Sequence, residues 1–217
     1  MEQTEPSPTR RGGRPSAERA AQIGDQILDA ATALFFAHGY GATSIEAVAR
    51  RARVSKRTFY SRFRDKAALF GAVVTRLVAR LRPANEAQLF RPGPLEDVLH
   101  RLALVILQAV LTPEALALHR LVVGEATRFP ELAAVLDASG SRREAITRIA
   151  ALLAHDATAK GVAAENPEVA AEHFLHLIVA APQRRALFLA DPMTPAAREA
   201  WARDAVRLFL HGWPGQA

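Results

Sequence analysis

An all-α fold follows from three features of the 217-residue chain. Half of its residues are apolar while aromatic residues make up only 6%, a profile of Ala- and Leu-rich helices rather than of sheets. Apolar positions recur at intervals of three and four, as one face of a helix requires. Helix-start signals recur as well: Thr112-Pro113, Asn166-Pro167 and Thr194-Pro195 each set a capping side chain before a proline, whose missing N–H costs nothing in a first turn. The predicted architecture is an N-terminal three-helix unit holding a helix-turn-helix, followed by a larger helical body.

Residues 1–18 are polar and rich in Pro, Gly and Ser, and are expected to be a disordered basic arm. Arg10, Arg11 and Arg14 cluster there and can lie in a minor groove beside a docked helix; a solubilising tail is the alternative. From about Ala20 to His38 the positions Ile27, Leu28, Ala31, Leu34 and Phe35 keep helical spacing, with Gly39 as a residue for the helix end. Tyr40 after it reads as core.

Residues 43–66, TSIEAVARRARVSKRTFYSRFRDK, organise the rest. Thr43 with Glu46 three residues on reads as a capping box, so a helix begins near Ser44 with Ile45, Val48, Ala49 and Ala52 on its inner face. Ser55 caps the next helix, in which Phe59 and Phe63 turn inward while Lys56, Arg57, Tyr60 and Arg64 share a basic outer face. Arg and Lys can donate to guanine O6 and N7 in a major groove, and Thr58 and Tyr60 can reach phosphates or a thymine methyl. Eight basic residues and one acidic residue lie between Arg50 and Lys66. An exposed basic face with no partner is the alternative, but two short capped helices in tandem favour DNA.

The run from Ile27 to Phe70 resembles the TetR family of bacterial transcriptional regulators, in its ILDAATALFFAHGY, TSIEAVARRARVS and KRTFYSRFRDKAALF segments. The resemblance implies that Thr43 and Lys66 clamp phosphates while Lys56, Arg57, Thr58 and Tyr60 lie at the groove, with Ser44 and Ser55 at the helix starts facing DNA. Two departures stand out: Arg53 occupies the place of a turn glycine and Arg57 that of a second glycine, which makes the readout more cationic. Residues 19–65 are thus taken as the DNA-binding domain and 66–217 as the effector-binding and dimerisation domain.

Asp65 is expected to cap a helix through Leu69, Phe70, Val73, Val74, Leu77 and Leu81, which Pro83 ends or kinks, with a poorly formed continuation to Gly93. Lys66 in its first turn opposes the helix dipole, a conflict that an external phosphate would resolve. Five further helices are expected: Leu95 to Leu111, from Thr112 to before Pro130, Glu131 to Ala159 with a break around Ser139 and Gly140 and Gly161 closing it, Pro167 to Ala181, and Pro195 to His211.

The last two helices carry apolar residues around most of their circumference, including Phe174, Leu177, Ile178, Trp201, Val206 and Phe209. They are predicted to form a homodimer interface, a four-helix bundle in the family; the alternative is the core of a monomer. For residues 77–160 the resemblance implies an effector cavity, lined by Leu104, Leu107, Leu121 and Val122, with His119, Arg120 and Glu125 as polar groups. The effector is expected to be small and largely apolar, since no anion-binding cluster occurs there.

The net charge of +6 is concentrated: residues 1–70 hold 12 basic and 7 acidic residues, and the remainder 16 and 15. That favours a polyanion partner for the first third alone. The chain has no cysteine, so disulfides and thiolate metal sites are excluded. No apolar run reaches membrane-spanning length and no apolar leader is evident, so neither a membrane partner nor export is expected and a cytoplasmic setting is. His173 and His176 lie three apart on one helix, but no third ligand stands at a metal-site spacing, and no cofactor or catalytic motif appears. No metal, cofactor or enzymatic activity is therefore expected. The reading is a DNA-binding repressor released from a palindromic operator by a small ligand; the alternative is a helical enzyme or carrier whose basic patch is incidental.

Overall fold

The computed structural model describes residues 17–82, 89, 91–159, 165–189, 191 and 193–212. Among these, ten helices and no strand are seen: α1 (Ala17–Ala42), α2 (Ile45–Arg51), α3 (Lys56–Tyr60), α4 (Lys66–Leu81), α5 (Leu95–Val110), α6 (Pro113–Glu125), α7 (Glu131–Ala138), α8 (Ser141–Ala159), α9 (Pro167–Phe188) and α10 (Pro195–His211). The fold is all-α, with an N-terminal helix-turn-helix unit and a helical C-terminal body. The basic arm with Arg10, Arg11 and Arg14, most of the stretch from Pro83 to Gly93, and Gly161 lie outside the described residues.

The capping residues act as their chemistry dictates. Side chains of Asp65, Thr112, Asn166 and Thr194 accept the N–H groups of Ala68, Ala115, Val169 and Ala197, so α4, α6, α9 and α10 start where the sequence places them. Gly140, at φ +71°, separates α7 from α8. Gly39, at φ +84°, interrupts α1 four residues after Phe35 and turns the chain toward α2.

Two apolar cores result. The first joins α1–α4 to the body: Ile27, Phe35, Tyr40, Val48, Phe59, Leu69 and Phe70 pack with Leu118, Leu121 and Val122 of α6 and Leu132 of α7. The second joins α5, α8, α9 and α10 through Leu99, Leu107, Ile149, Phe174, Ile178, Ala202 and Val206. Arg76 ties α4 to α1 by reaching Asp29 at 2.9 Å and the Thr32 hydroxyl at 3.4 Å.

This division bears on two expectations. Leu107 belongs to the second core, with Leu104 packed against it, whereas Leu121 and Val122 belong to the first, so the four are divided between the two cores. Two surface recesses, of about 340 Å³ beside Gln26, Asp29 and Arg53 and about 730 Å³ beside Arg91, Asp97 and Arg101, involve none of them. Phe174, Ile178 and Val206 are fully buried within the chain, the Phe209 ring lies tilted against that of Phe174 at 5.0 Å between centres, and Leu177 packs against the same cluster. Phe174, Ile178 and Val206 thus serve the chain's own core, while Leu177, Trp201 and Phe209 are half-buried on the same two helices.

The helix expected to stop at Ala181 continues to Phe188 through a buried Pro182. A proline inside a helix removes the N–H that would bond the carbonyl four residues back, here that of Ile178. Trp201 of α10 supplies the missing donor: its Nε1–H reaches the Ile178 carbonyl at 2.9 Å. Trp201, expected at a dimer interface, thus repairs a helix within the chain. Trp201→Phe keeps an aromatic ring, though a smaller one, and removes the donor, and should cost about 1–3 kcal/mol in urea unfolding. In a Pro182→Ala background the restored N–H takes the Ile178 carbonyl and the cost should shrink. An equal cost in both backgrounds would show that Trp201 acts by packing alone.

Candidate nucleic-acid interface

The interface begins at the start of α2, where Ser44, not Thr43, is the cap: its Oγ accepts the Ala47 N–H at 3.1 Å. Thr43 is 3% exposed and donates its hydroxyl to the Gly39 carbonyl at 2.7 Å. A phosphate offers only acceptors, and the one proton of Thr43 is already committed inward, so the expected phosphate clamp becomes an internal latch. Glu46, released from the expected capping box, instead pairs with Lys56 of α3 at 2.7 Å. The Lys56 ammonium holds the Glu46 carboxyl below its usual range, and Glu46 in turn holds Lys56 above its own. In the free chain Lys56 is thus tethered across the two helices on an exposed face.

The turn between α2 and α3 is a Schellman motif. Val54 N–H returns to the Ala49 carbonyl at 3.0 Å and Arg53 N–H to that of Arg50 at 3.2 Å. The motif needs a left-handed residue, and Arg53 takes it at φ +55°, the one non-glycine residue with positive φ among those described. A Cβ there costs about 1–2 kcal/mol relative to the right-handed conformation. The sequence signal was the arginine at a glycine position, and the observed turn keeps the geometry in spite of it.

Ser55 caps α3 by accepting the Thr58 N–H at 3.0 Å, and its hydroxyl also meets that of Thr58 at 2.9 Å. Phe59 is fully buried and seats the helix, with Phe63 at 5.7 Å between ring centres. Lys56, Arg57 and Tyr60 stay exposed, Tyr60 at 51%. Because α3 ends at Tyr60, where Ser61 bonds back to the Thr58 carbonyl at 2.8 Å, Arg64 does not continue the basic helical face; it pairs with Asp65 instead.

Lys66 departs furthest from expectation. Its Nζ donates to the carbonyls of Tyr40 at 2.9 Å, Thr43 at 3.1 Å and Gly41 at 3.4 Å, and lies 4.4 Å from the centre of the Tyr40 ring. All three ammonium protons are used, and burial pushes the group below its ordinary range. The conflict with the α4 dipole is settled internally, because the side chain reaches to the carbonyl end of α1, where a cation is favoured. Lys66 is a helix cap here rather than a phosphate clamp.

Opposite Lys66 stands Glu125, the last residue of α6. It accepts the Tyr40 N–H at 2.6 Å and the Gly41 N–H at 2.7 Å. Expected in an effector pocket, Glu125 instead binds the backbone of the DNA-binding unit. Of the other polar pocket residues, Arg120 is exposed and His119 is half-buried, its imidazole pushed below the usual range by burial. Among the described residues no group of three or more metal-ligating side chains occurs, and His173 and His176 are exposed.

The chain matches two family models: that of bacterial regulatory proteins of the tetR family over residues 27–73, and that of the C-terminal domain of AefR-like transcriptional repressors over residues 97–213. Among curated proteins it is similar to the HTH-type transcriptional regulator YhgD of Bacillus subtilis, 34% identical over 82 residues, which are 38% of this chain and 43% of that protein. It is also similar to the HTH-type transcriptional repressor ComR of Escherichia coli, 41% identical over 66 residues, 30% of this chain and 31% of that one. The chain thus spans less than half the length of either curated relative. Solved structures align more fully. A TetR-family transcriptional regulator from Mesorhizobium loti aligns with a TM-score of 0.73 at 30% identity, covering 88% of this chain and 96% of that one. The Flavonoid-responsive Regulator FrrA aligns with a TM-score of 0.72 at 28% identity, also covering 88% and 96%. With one family model spanning more than half of the chain and the capped helix-turn-helix beneath the other, the chain belongs to the TetR family of bacterial transcriptional regulators.

Proposed function

We propose that the chain is a ligand-responsive repressor in which residues 19–65 read DNA and residues 66–217 pair two copies and receive a small molecule. The observation that carries the DNA reading is the exposed face of α3: Lys56, Arg57 and Tyr60 project from a five-residue helix whose ends are closed by Ser55 and Ser61 and whose inner side is held by Phe59. Such a helix presents donors to a major groove at little cost in side-chain ordering beyond the side chains themselves. Lys56 exchanges its bond to Glu46 for one to DNA. With Thr43 and Lys66 turned inward, phosphate contacts fall to exposed groups such as Ser44, Ser55 and Arg53, and to the arm with Arg10, Arg11 and Arg14.

One such helix reads too few base pairs to define a site, and a two-fold pair reading a palindrome supplies the rest. We place the pairing on the faces that α9 and α10 leave open. Phe188 is 77% exposed, Val169 43% and Leu208 36%, and the exposed Ala180 and Ala200 permit close approach. Because Phe188 lies outside the core, Phe188→Asp should leave the thermal midpoint of the isolated subunit nearly unchanged while shifting the chain to monomer in sedimentation velocity. A variant that stays dimeric at micromolar concentration would remove this face from the interface.

The relative named flavonoid-responsive supports the reading that a small, largely apolar ligand acts on this body too. Such a ligand would enter by parting the seam between the two cores, next to α6, a minor arrangement that binding makes dominant. Its effect on DNA affinity is limited to the difference in its affinity for the two arrangements.

Fluorescence anisotropy with duplex DNA from upstream of the chain's own gene, titrated across salt concentrations, tests the DNA reading. Binding should be salt-sensitive and exceed that of an unrelated duplex, and added flavonoid in the same titration reads the ligand response. Arg57→Ala should cost about 1–3 kcal/mol and relax discrimination at one base pair. Equal weakening on all sequences would assign Arg57 to the phosphate backbone.

A further inference from the structure

The passage from Gly39 to Thr43, which carries the chain from α1 into α2, is gripped on its amide side by one residue of the body. Both carboxylate oxygens of Glu125 are used on successive amides, Oε1 by Tyr40 and Oε2 by Gly41. The approach is so close that a Cβ on Gly39 would stand 2.2 Å from Glu125 Oε1, and one on Gly41 would meet the Phe129 ring at 3.0 Å and Glu125 Oε2 at 3.1 Å. Glycine at both positions is what admits the carboxylate. The carbonyl side of the same passage is held by Lys66, from α4. The Tyr40 ring is packed by Phe129 at 5.1 Å, and its hydroxyl faces Glu131, so that burial and this carboxylate raise it to about 12.

We propose that Glu125 is a positioning residue for DNA recognition: from the end of α6 it fixes the segment that launches α2, so that the direction of α2 follows the end of α6 through this carboxylate. The proposal rests on the reading of the chain as a DNA-binding regulator. The apolar part of the junction does not depend on the carboxylate, since Leu121, Val122 and Leu132 pack against the first core independently. The amides of Tyr40 and Gly41 are only partly buried, so water can replace Glu125 when it withdraws. Loss of the carboxylate therefore frees the direction of α2 without dismantling the fold.

Glu125→Gln is the informative change. An amide offers one acceptor oxygen and sets an NH2 against the second backbone N–H, so at most one of the two bonds survives. Glu125→Asp keeps the charge on a shorter side chain and provides a partial rescue. In the full chain, hydrogen–deuterium exchange should show the Tyr40 and Gly41 amides exchanging about tenfold faster in the Gln variant, with the Asp variant between it and wild type. The affinity ratio between upstream and unrelated duplexes of equal length should fall about tenfold while affinity for the unrelated duplex is unchanged. A merely structural residue would lower the melting temperature and both affinities together. If the Gln variant fails to fold, the Asp variant carries the same comparison. Faster exchange with an unchanged ratio would overturn the positioning role alone; a wild-type chain that does not distinguish the two duplexes would overturn the regulator reading and the proposal with it.

Discussion

Where α1 gives way to α2, five residues of backbone leave the helix and must find partners for their N–H and C=O groups. A helix end exposes unpaired carbonyls, and Gly39 turns the chain before they can be satisfied in sequence. Lys66 closes the carbonyls and Glu125 the amides, with Tyr40 between them against Phe35, Phe70 and Phe129. Three elements that are distant in sequence, α1, α4 and α6, are thereby fixed at one point. The orientation of α2 follows from it, and the Schellman turn after α2 carries that orientation on to α3.

This arrangement explains how so short a recognition helix can be held. α3 has five residues, too few to be stable alone. It depends on the Ser55 cap, the buried Phe59 and the Schellman turn that precedes it. That turn tolerates the strain of Arg53 because α2 on one side and α3 on the other both fix its ends. What remains exposed is the outer face, where Arg57 and Tyr60 project and Lys56 is held only by its surface pair with Glu46.

Local features of the sequence were the legible ones. Capping residues act over three or four positions, so Asp65, Ser55, Thr112, Asn166 and Thr194 mark their helices from composition and spacing alone. The glycine break at Gly140 was equally local. Long-range pairings were not legible. Nothing near Pro182 reveals that Trp201 will supply its missing donor, so local signals alone end the helix at Ala181. Glu125 and Lys66 carry charges that sequence reading sends to solvent, ligand or DNA, whereas tertiary structure brings each against orphan backbone groups. Apolar residues around most of the circumference of α9 and α10 signal burial but not by which partner: Phe174, Ile178 and Val206 serve the chain's own core.

The assignment of Lys66 is the point on which this account turns, since a lysine that caps α1 and a lysine that clamps phosphate differ in what they do without DNA. Measuring Lys66→Ala by urea unfolding and by the salt dependence of DNA binding separates them. A cap predicts a loss of stability of about 1.5–3 kcal/mol, from carbonyls left without their charged donor, and a slope of log affinity against log salt equal to that of wild type. A stability equal to wild type, with a slope reduced by about one, would place Lys66 on the phosphate and contradict the account.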